Sequence, residues 1–508
     1  MIDKENLFQK QAGSYWISST EETHYSPLEK DMEVDVAIVG GGMVGIATAY
    51  LLQKSGFKVA IFEKNKIATG ASGHTTAKIT SQHGLIYHNM ISNNDLETAT
   101  QYASSNQWAV SFIEDTIKEL NIDCDYSKEN AYIYTCDSKY LPKIKDEVGA
   151  AKRAGIDASF VEELPLPLPI LGAVKFPNQG QFHPRKYVLS LAQHIEKKGA
   201  LIFEGTQIDD IDRGSPCTIN TKGGNIIRAN KVVVACHYPF TNNIGFYFTR
   251  MVPQRSYLLG VKIKEELPTG MYISAESPTR SIRNQISKQE ALLLIGGDSH
   301  QTAHGEEEKV HYSNLFDFVK HLYTVENVPY RWSTQDLMTP DDIPYIGKIT
   351  SYTDHVYIAT GFKKWGMTTS HVAAKVISDL ISNNKSQWEN LYKPYRNLSS
   401  KSILKLVVDN IQVAKDLVKG KLEDATNELP TEPGKGHTVE IDGEKIGAYM
   451  DKDGKIYLID TTCTHLGCEL KWNSAEKTWD CPCHGSRFDY KGTILDGPAL
   501  DNLECKLE

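Results

Sequence analysis

The stretch V-D-V-A-I-V-G-G-G-M-V-G, Val34 to Gly45, decides how most of this chain folds. Val34 to Val39 make a short apolar, β-prone run that predicts a buried strand, and Gly40-Gly41-Gly42 end it. A helix is expected from there to about Ser55. Phe57 to Phe62 then form a second β-prone run, which ends on Glu63. Strand, glycine turn, helix, strand and acid compose a βαβ unit in which each glycine has a task. Gly40 allows the tight turn, Gly42 lets the backbone approach a pyrophosphate, and Gly45 lets the helix pack closely. Glu63, with Lys64 after it, stands where ribose hydroxyls are bound. The unit predicts dinucleotide binding without separating NAD from FAD.

Far from it, C-T-H-L-G-C at Cys463 to Cys468 is followed by C-P-C-H-G-S at Cys481 to Ser486. Two thiolates and two imidazoles in Cys-x-His and Cys-x-x-His spacing suit a [2Fe-2S] cluster, with Cys463 and Cys481 on one iron and His465 and His484 on the other. Spacing alone also admits tetrahedral zinc. Each loop has a second cysteine, Cys468 and Cys483, and Gly497-Pro498-Ala499 follows. The whole set resembles the Rieske family in its respiratory-type variant, from about residue 430 onward. That resemblance implies Cys463, His465, Cys481 and His484 as ligands and a Cys468–Cys483 disulfide. It also implies a hydrogen bond from Ser486 to a bridging sulfide. Phe488 departs from the pattern: high-potential members carry a tyrosine there, whose hydroxyl reaches a cysteine sulfur. Loss of that donor predicts a lower potential.

An electron-transfer module of this size leaves most of the 508 residues unexplained, and the length implies two to four domains. A hydrophobic content of 40% with 23% charged residues is that of an ordinary globular protein, and the net charge of −9 argues against a general nucleic-acid binder. The start, M-I-D-K-E-N-L-F-Q-K, has neither an apolar leader segment nor twin arginines, and no run is long and apolar enough to span a bilayer. A cytoplasmic protein with no integral membrane segment is expected. Cys124, Cys136, Cys217, Cys236 and Cys505 are scattered and expected to be reduced, so the predicted disulfide would persist in a reducing compartment only if shielded.

Over roughly residues 30 to 390 the chain resembles the D-amino-acid-oxidase-like (DAO) family of FAD proteins. Ala68 to Lys78, A-T-G-A-S-G-H-T-T-A-K, is similar to the family's second glycine/serine loop, which implies Ser72, His74, Thr75 and Thr76 beside the flavin. Gly180 to Pro184 opens a helix. Glu204 to Ile211 looks like the strand whose backbone near Ile208 meets adenine, and Lys231 to Cys236 like a sheet strand whose end, Ala235-Cys236, lies over the dinucleotide. Met338 to Gly347, His355 to Gly361 and K-K-W-G-M-T complete the match. In the family this last strand-loop-helix aims a helix N-terminus at the flavin, here through Gly361, Gly366, Met367 and Thr368. A helix N-terminus offers free N–H groups and partial positive charge, which favours reduced flavin. Lys363 and Lys364 could add to it or merely be solvated. His74 stands where some amine dehydrogenases attach FAD covalently; hydrogen bonding or packing is the favoured role.

The expected architecture is an α/β Rossmann-like FAD domain with an inserted α+β substrate subdomain, followed by a small all-β Rieske domain. An extension covers 1–33. The FAD domain covers 34–396, with cofactor segments near 34–94, 176–245 and 336–390 and substrate segments near 95–175 and 246–335. Alternation in Ser256 to Ile263 and Ala291 to Asp298 predicts antiparallel strands over the flavin. Arg283 is a candidate carboxylate fork and Tyr257 a candidate ring contact, though an edge arginine and a core tyrosine look the same in sequence. A connector fills 397–430. Its apolar stripe, Ile403, Leu406, Val407, Ile411, Ala414, Leu417 and Val418, makes an amphipathic helix for which packing on the FAD domain is preferred over a membrane surface. The Rieske domain takes 431–508.

Together these features predict an oxidoreductase using FAD and a [2Fe-2S] cluster. A small amine or amino-acid-like molecule would be oxidised and electrons passed to an unidentified external acceptor. The same parts run backwards would take electrons from a donor for a reductase or monooxygenase reaction. A redox sensor without turnover is a third possibility.

Overall fold

The computed structural model describes residues 7, 8, 13–241 and 244–507. The strand Met32–Val39 runs at the centre of an eight-stranded sheet. It pairs in parallel with Val59–Phe62 on one side and Ile226–Val234 on the other. Leu201–Phe203 and Val356–Thr360 extend the parallel part, and Tyr345–Lys348 adds an antiparallel edge. Central strands of this sheet read as continuous apolar runs because both faces are covered. The helix Met43–Lys54 packs between the long helix Gly366–Asn383 and Pro184–Lys197.

A second, nine-stranded and mostly antiparallel sheet is built from the predicted substrate segments. Val252–Ile263 lies between Ala291–Gln301 and Val325–Met338, and Arg280–Ile286 pairs with Ala291–Gln301. Its far face carries the helix Glu308–Leu322. The subdomain borders differ from the sequence reading: Lys78–Ile79 and Gly172–Gln181 are strands of this second sheet, although both reach into segments assigned to the cofactor half. Alternating burial marks a strand but does not say which of two adjoining sheets it joins. Part of the segment read as an extension also joins the core. Trp16 is fully buried, and its indole donates to the Thr75 carbonyl at 2.7 Å.

The C-terminal unit consists of two four-stranded sheets. One runs Gly436–Ile441, Glu444–Met450, Ile456–Asp460 and Cys505–Leu507, and the other Lys471–Asn473, Thr478–Asp480, Arg487–Asp489 and Ile494–Asp496. The connector forms the helix Ser400–Leu422 and packs on the larger domain as expected, through Asn410 on the Thr249 carbonyl and Asp416 on His304, but its apolar stripe is not the packed face. Val413 and Leu417 rest on the core of the C-terminal domain, while Ile403, Val407, Ile411 and Val418 face outward. Periodicity reports that a helix has two faces and is silent on which one is covered. Among the described residues no helix is long and apolar enough to cross a membrane.

Candidate functional site

The first turn of the βαβ unit opens onto a cavity of about 650 Å³. Gly40 has φ +111°, and a Cβ there would meet the Ala235 carbonyl at 2.7 Å. A Cβ at Gly45 would lie 1.9 Å from the Gly40 carbonyl oxygen, so helix and turn touch through glycine alone. Gly42 is the N-cap of Met43–Lys54. Ser72 accepts a hydrogen bond from the Met43 amide at 3.0 Å, tying the second loop to the helix N-terminus. Glu63 accepts from the amides of Gly41 at 2.8 Å and Asn65 at 2.9 Å, and burial raises its pKa.

Of the residues predicted to hold a dinucleotide, Gly40, Gly42, Glu63, Lys64, Ser72, His74, Thr75, Thr76, Ile208, Ala235, Cys236, Gly366 and Met367 line this one cavity. Gly45, Gly361 and Thr368 stand behind its wall. Gly361 turns the chain at φ +74°, and the Thr368 hydroxyl donates to the Thr80 carbonyl at 3.1 Å. His74 Nδ1 pairs with the Gly70 carbonyl at 2.9 Å, and burial lowers its pKa.

The two catalytic candidates are placed elsewhere. Neighbours Ser256 and Leu258 line the cavity, so Tyr257, one step out of phase on its strand, projects to the opposite face. There it stacks on His300 and His311, and its hydroxyl meets His300 Nε2 at 2.7 Å. Arg283 is also off the cavity wall: it is buried, donates to the Ala77 carbonyl at 3.0 Å and to Gln285, and lies over the Trp16 ring. Its guanidinium serves the packing of the N-terminal segment.

Three charged groups that sequence reasoning gave no firm role line the cavity instead. Burial pushes Lys78 down to about 7, and its ammonium donates to the Tyr272 carbonyl at 2.8 Å and Ser281 at 2.7 Å. Burial pushes Asp336 up to about 7 against the pull of Lys364, whose own pKa burial lowers. Lys78 closes the quoted loop, but only the fold shows that it points inward.

The Cys/His loops converge as expected. The Cys463 and Cys481 thiols lie next to each other, with the Ser486 hydroxyl beside Cys463. The rings of His465 and His484 are edge-to-face at 5.0 Å, and the Nδ1 of each is buried with no partner. Two thiols and two unpartnered imidazole nitrogens form a donor set that fits an iron–sulfur cluster. Cys468 and Cys483 are joined in a disulfide, and both are buried. Cys468, Cys481 and Cys483 also come close enough to suggest a metal site of their own, but two of those sulfurs are spent in the disulfide.

The two sites adjoin. Phe248 of the larger domain presents its ring edge-to-face to His465 at 4.9 Å and to His484 at 5.2 Å. Gln335 donates to the Gly485 carbonyl at 2.9 Å. Arg487 and the stretch Asp496 to Leu500 belong to the C-terminal domain yet line the dinucleotide cavity. The interface is fastened by Glu476, which accepts from Arg255 at 2.7 Å and pairs with Arg487 and Ser333. Tyr238 lines the cavity, and its unpartnered hydroxyl is buried near Cys481.

Comparison with known proteins agrees with this geometry. The model of the FAD dependent oxidoreductase (DAO) family matches residues 35–380, and that of the Rieske [2Fe-2S] domain matches 422–506. A Bacillus subtilis protein named as a Rieske 2Fe-2S iron-sulfur protein, YhfW, is 41% identical over 98% of both chains. Gamma-glutamylputrescine oxidoreductase of Escherichia coli is 22% identical over 74% of this chain and 90% of its own. Glycine oxidase from Geobacillus kaustophilus shares the fold with a TM-score of 0.62 at 21% identity, covering 72% of this chain and all of that one.

Proposed function

The chain belongs to the FAD-dependent oxidoreductase family and carries a Rieske [2Fe-2S] domain, and we propose that it is a dehydrogenase of small amines or amino-acid-like compounds. Its electrons leave through the cluster to an external acceptor. When bound, FAD supplies an acceptor for an electron pair that can be released singly, and the cluster a store for one electron. In this reading Gly40, Gly42 and the N-terminus of Met43–Lys54 hold the pyrophosphate, Glu63 and Lys64 the ribose, and Ile208 the adenine. The N-terminus of Gly366–Asn383 favours negative charge on the reduced ring, with Lys363 and Lys364 beside it. Cys463, Cys481, His465 and His484 hold the cluster.

The substrate gives up a hydride from the carbon beside its nitrogen and a proton from the nitrogen, leaving an imine. Lys78, whose pKa burial brings down to about 7, is a group on the cavity wall suited to take that proton in its neutral form. Relatives named as glycine oxidase and gamma-glutamylputrescine oxidoreductase support an amine or amino acid as the substrate class.

One observation carries the reading: Arg487, next to the cluster loop that ends at Ser486, and Asp496–Leu500 of the cluster domain are part of the cavity wall, so the two cofactor sites adjoin. A panel of amines and amino acids added without oxygen tests it. The substrate bleaches the flavin absorbance and then brings up the cluster's EPR signal. Bleaching with the cluster left oxidised refutes the relay.

A further inference from the structure

On the helix Ser400–Leu422 the apolar residues look outward. Ile403, Leu404, Val408 and Val418 are 52%, 64%, 55% and 57% exposed, and Val407 and Ile411 are close to half exposed. From Ile403 to Ile411 they recur three and four residues apart, and Val418 follows two turns later on the same face. The opposite side is fully engaged. Val413 and Leu417 pack on the cluster core, Asn410 donates to the Thr249 carbonyl at 2.8 Å, and Asp416 pairs with His304 at 2.9 Å. Charge is sorted in the same way. Lys401, Lys405, Lys415, Lys419 and Lys421 are exposed, while Asp409 and Asp416 are partly covered on the inward side.

We propose that this face lies on an anionic lipid surface, so that the protein docks peripherally on a membrane through the helix. A stripe of aliphatic side chains flanked by lysines is the pattern of an interfacial helix, which buries its apolar face at the acyl boundary and sets its ammonium groups among anionic headgroups. The lysines are a local feature of a chain whose net charge is −9. A second copy would set lysine against lysine across a two-fold axis. A protein partner would find none of the Trp, Tyr or Arg anchors that dominate such interfaces. Docking would also place the cluster loops close to the bilayer. Val413 lies against Cys483, with 3.9 Å from its carbonyl oxygen to the sulfur, so the helix, ~10 Å thick, is what separates those loops from lipid.

Flotation of the full chain, loaded with both cofactors, on phosphatidylcholine vesicles with and without phosphatidylglycerol tests this. Binding is expected to be about tenfold tighter with phosphatidylglycerol and to weaken at high salt. The triple variant Leu404→Ser, Val408→Ser, Ile411→Ser changes exposed positions alone. It is expected to lose binding about tenfold while keeping its flavin and cluster spectra. Lys415→Glu with Lys419→Glu should abolish the preference for phosphatidylglycerol. Absence of flotation by the parent chain, binding indifferent to these substitutions, or a dimer that the serine variant disperses would each overturn the proposal.

Discussion

Phe488 sits fully buried in the core around Cys463 and Cys481, opposite Trp479 on the neighbouring strand. Its ring fills the space that a tyrosine would fill but offers the cluster no hydroxyl. A hydrogen bond to sulfur stabilises the more negative, reduced state. Phe488→Tyr should therefore raise the potential. At about 1 kcal/mol for the bond, the rise is on the order of 50 mV for one electron. Ser486 works in the same direction. Its hydroxyl accepts from the Ala499 amide at 3.0 Å, and its own proton remains available to donate. Ser486→Ala should lower the potential by a similar amount, and redox titration followed by EPR reads both shifts. At the other cofactor, Gly45→Ala places a methyl 1.9 Å from the Gly40 carbonyl oxygen, where backbone must move. It is expected to yield protein without flavin, measured as flavin per chain after purification.

At the scale of elements, the hairpin Lys471–Asn473 to Thr478–Asp480 does more than carry sheet contacts. Its tip puts Ala475 into the core of the substrate subdomain and Glu476 between Arg255 and Arg487. Burial alone would raise the Glu476 pKa, but the two guanidiniums pull it down to about 2 from an ordinary 4.5. A carboxylate with a depressed pKa gives stability that is fully present above about pH 4.5 and is lost as the pH falls toward 2, on the order of 3 kcal/mol in all. Glu476→Gln leaves Arg255 buried without its charge partner and should destabilise the seated hairpin by about 3 kcal/mol at neutral pH. The gap to the parent should narrow in acid. Urea unfolding monitored at the cluster absorbance, repeated down the pH scale, checks both the size and the trend.

None of that fastening was legible in the sequence, and the reason is physical. The βαβ unit and the Cys/His loops are local: their chemistry depends on residues a few positions apart, so spacing alone carries the signal. Arg255, Glu476 and Arg487 are single residues from distant stretches, brought together by the fold. Tyr257 and Arg283 show the converse. Each has the right side chain on the right sheet, but strand phase turns one away and Trp16 engages the other. For the whole molecule, the consequence is a cofactor cavity whose wall belongs partly to the C-terminal domain, with Arg487 and Asp496–Leu500 on it. An external dye should then reach the flavin poorly and take electrons chiefly from the cluster. Cys481→Ser removes a cluster ligand and leaves the wall residues in place. If its flavin content matches the parent, the domain is still seated. In that state, photochemically reduced flavin should pass electrons to a one-electron dye about tenfold more slowly than in the parent, as for a barrier raised by ~1.4 kcal/mol. Equal rates in the two proteins would mean that electrons leave the flavin directly and that the cluster is not the outlet.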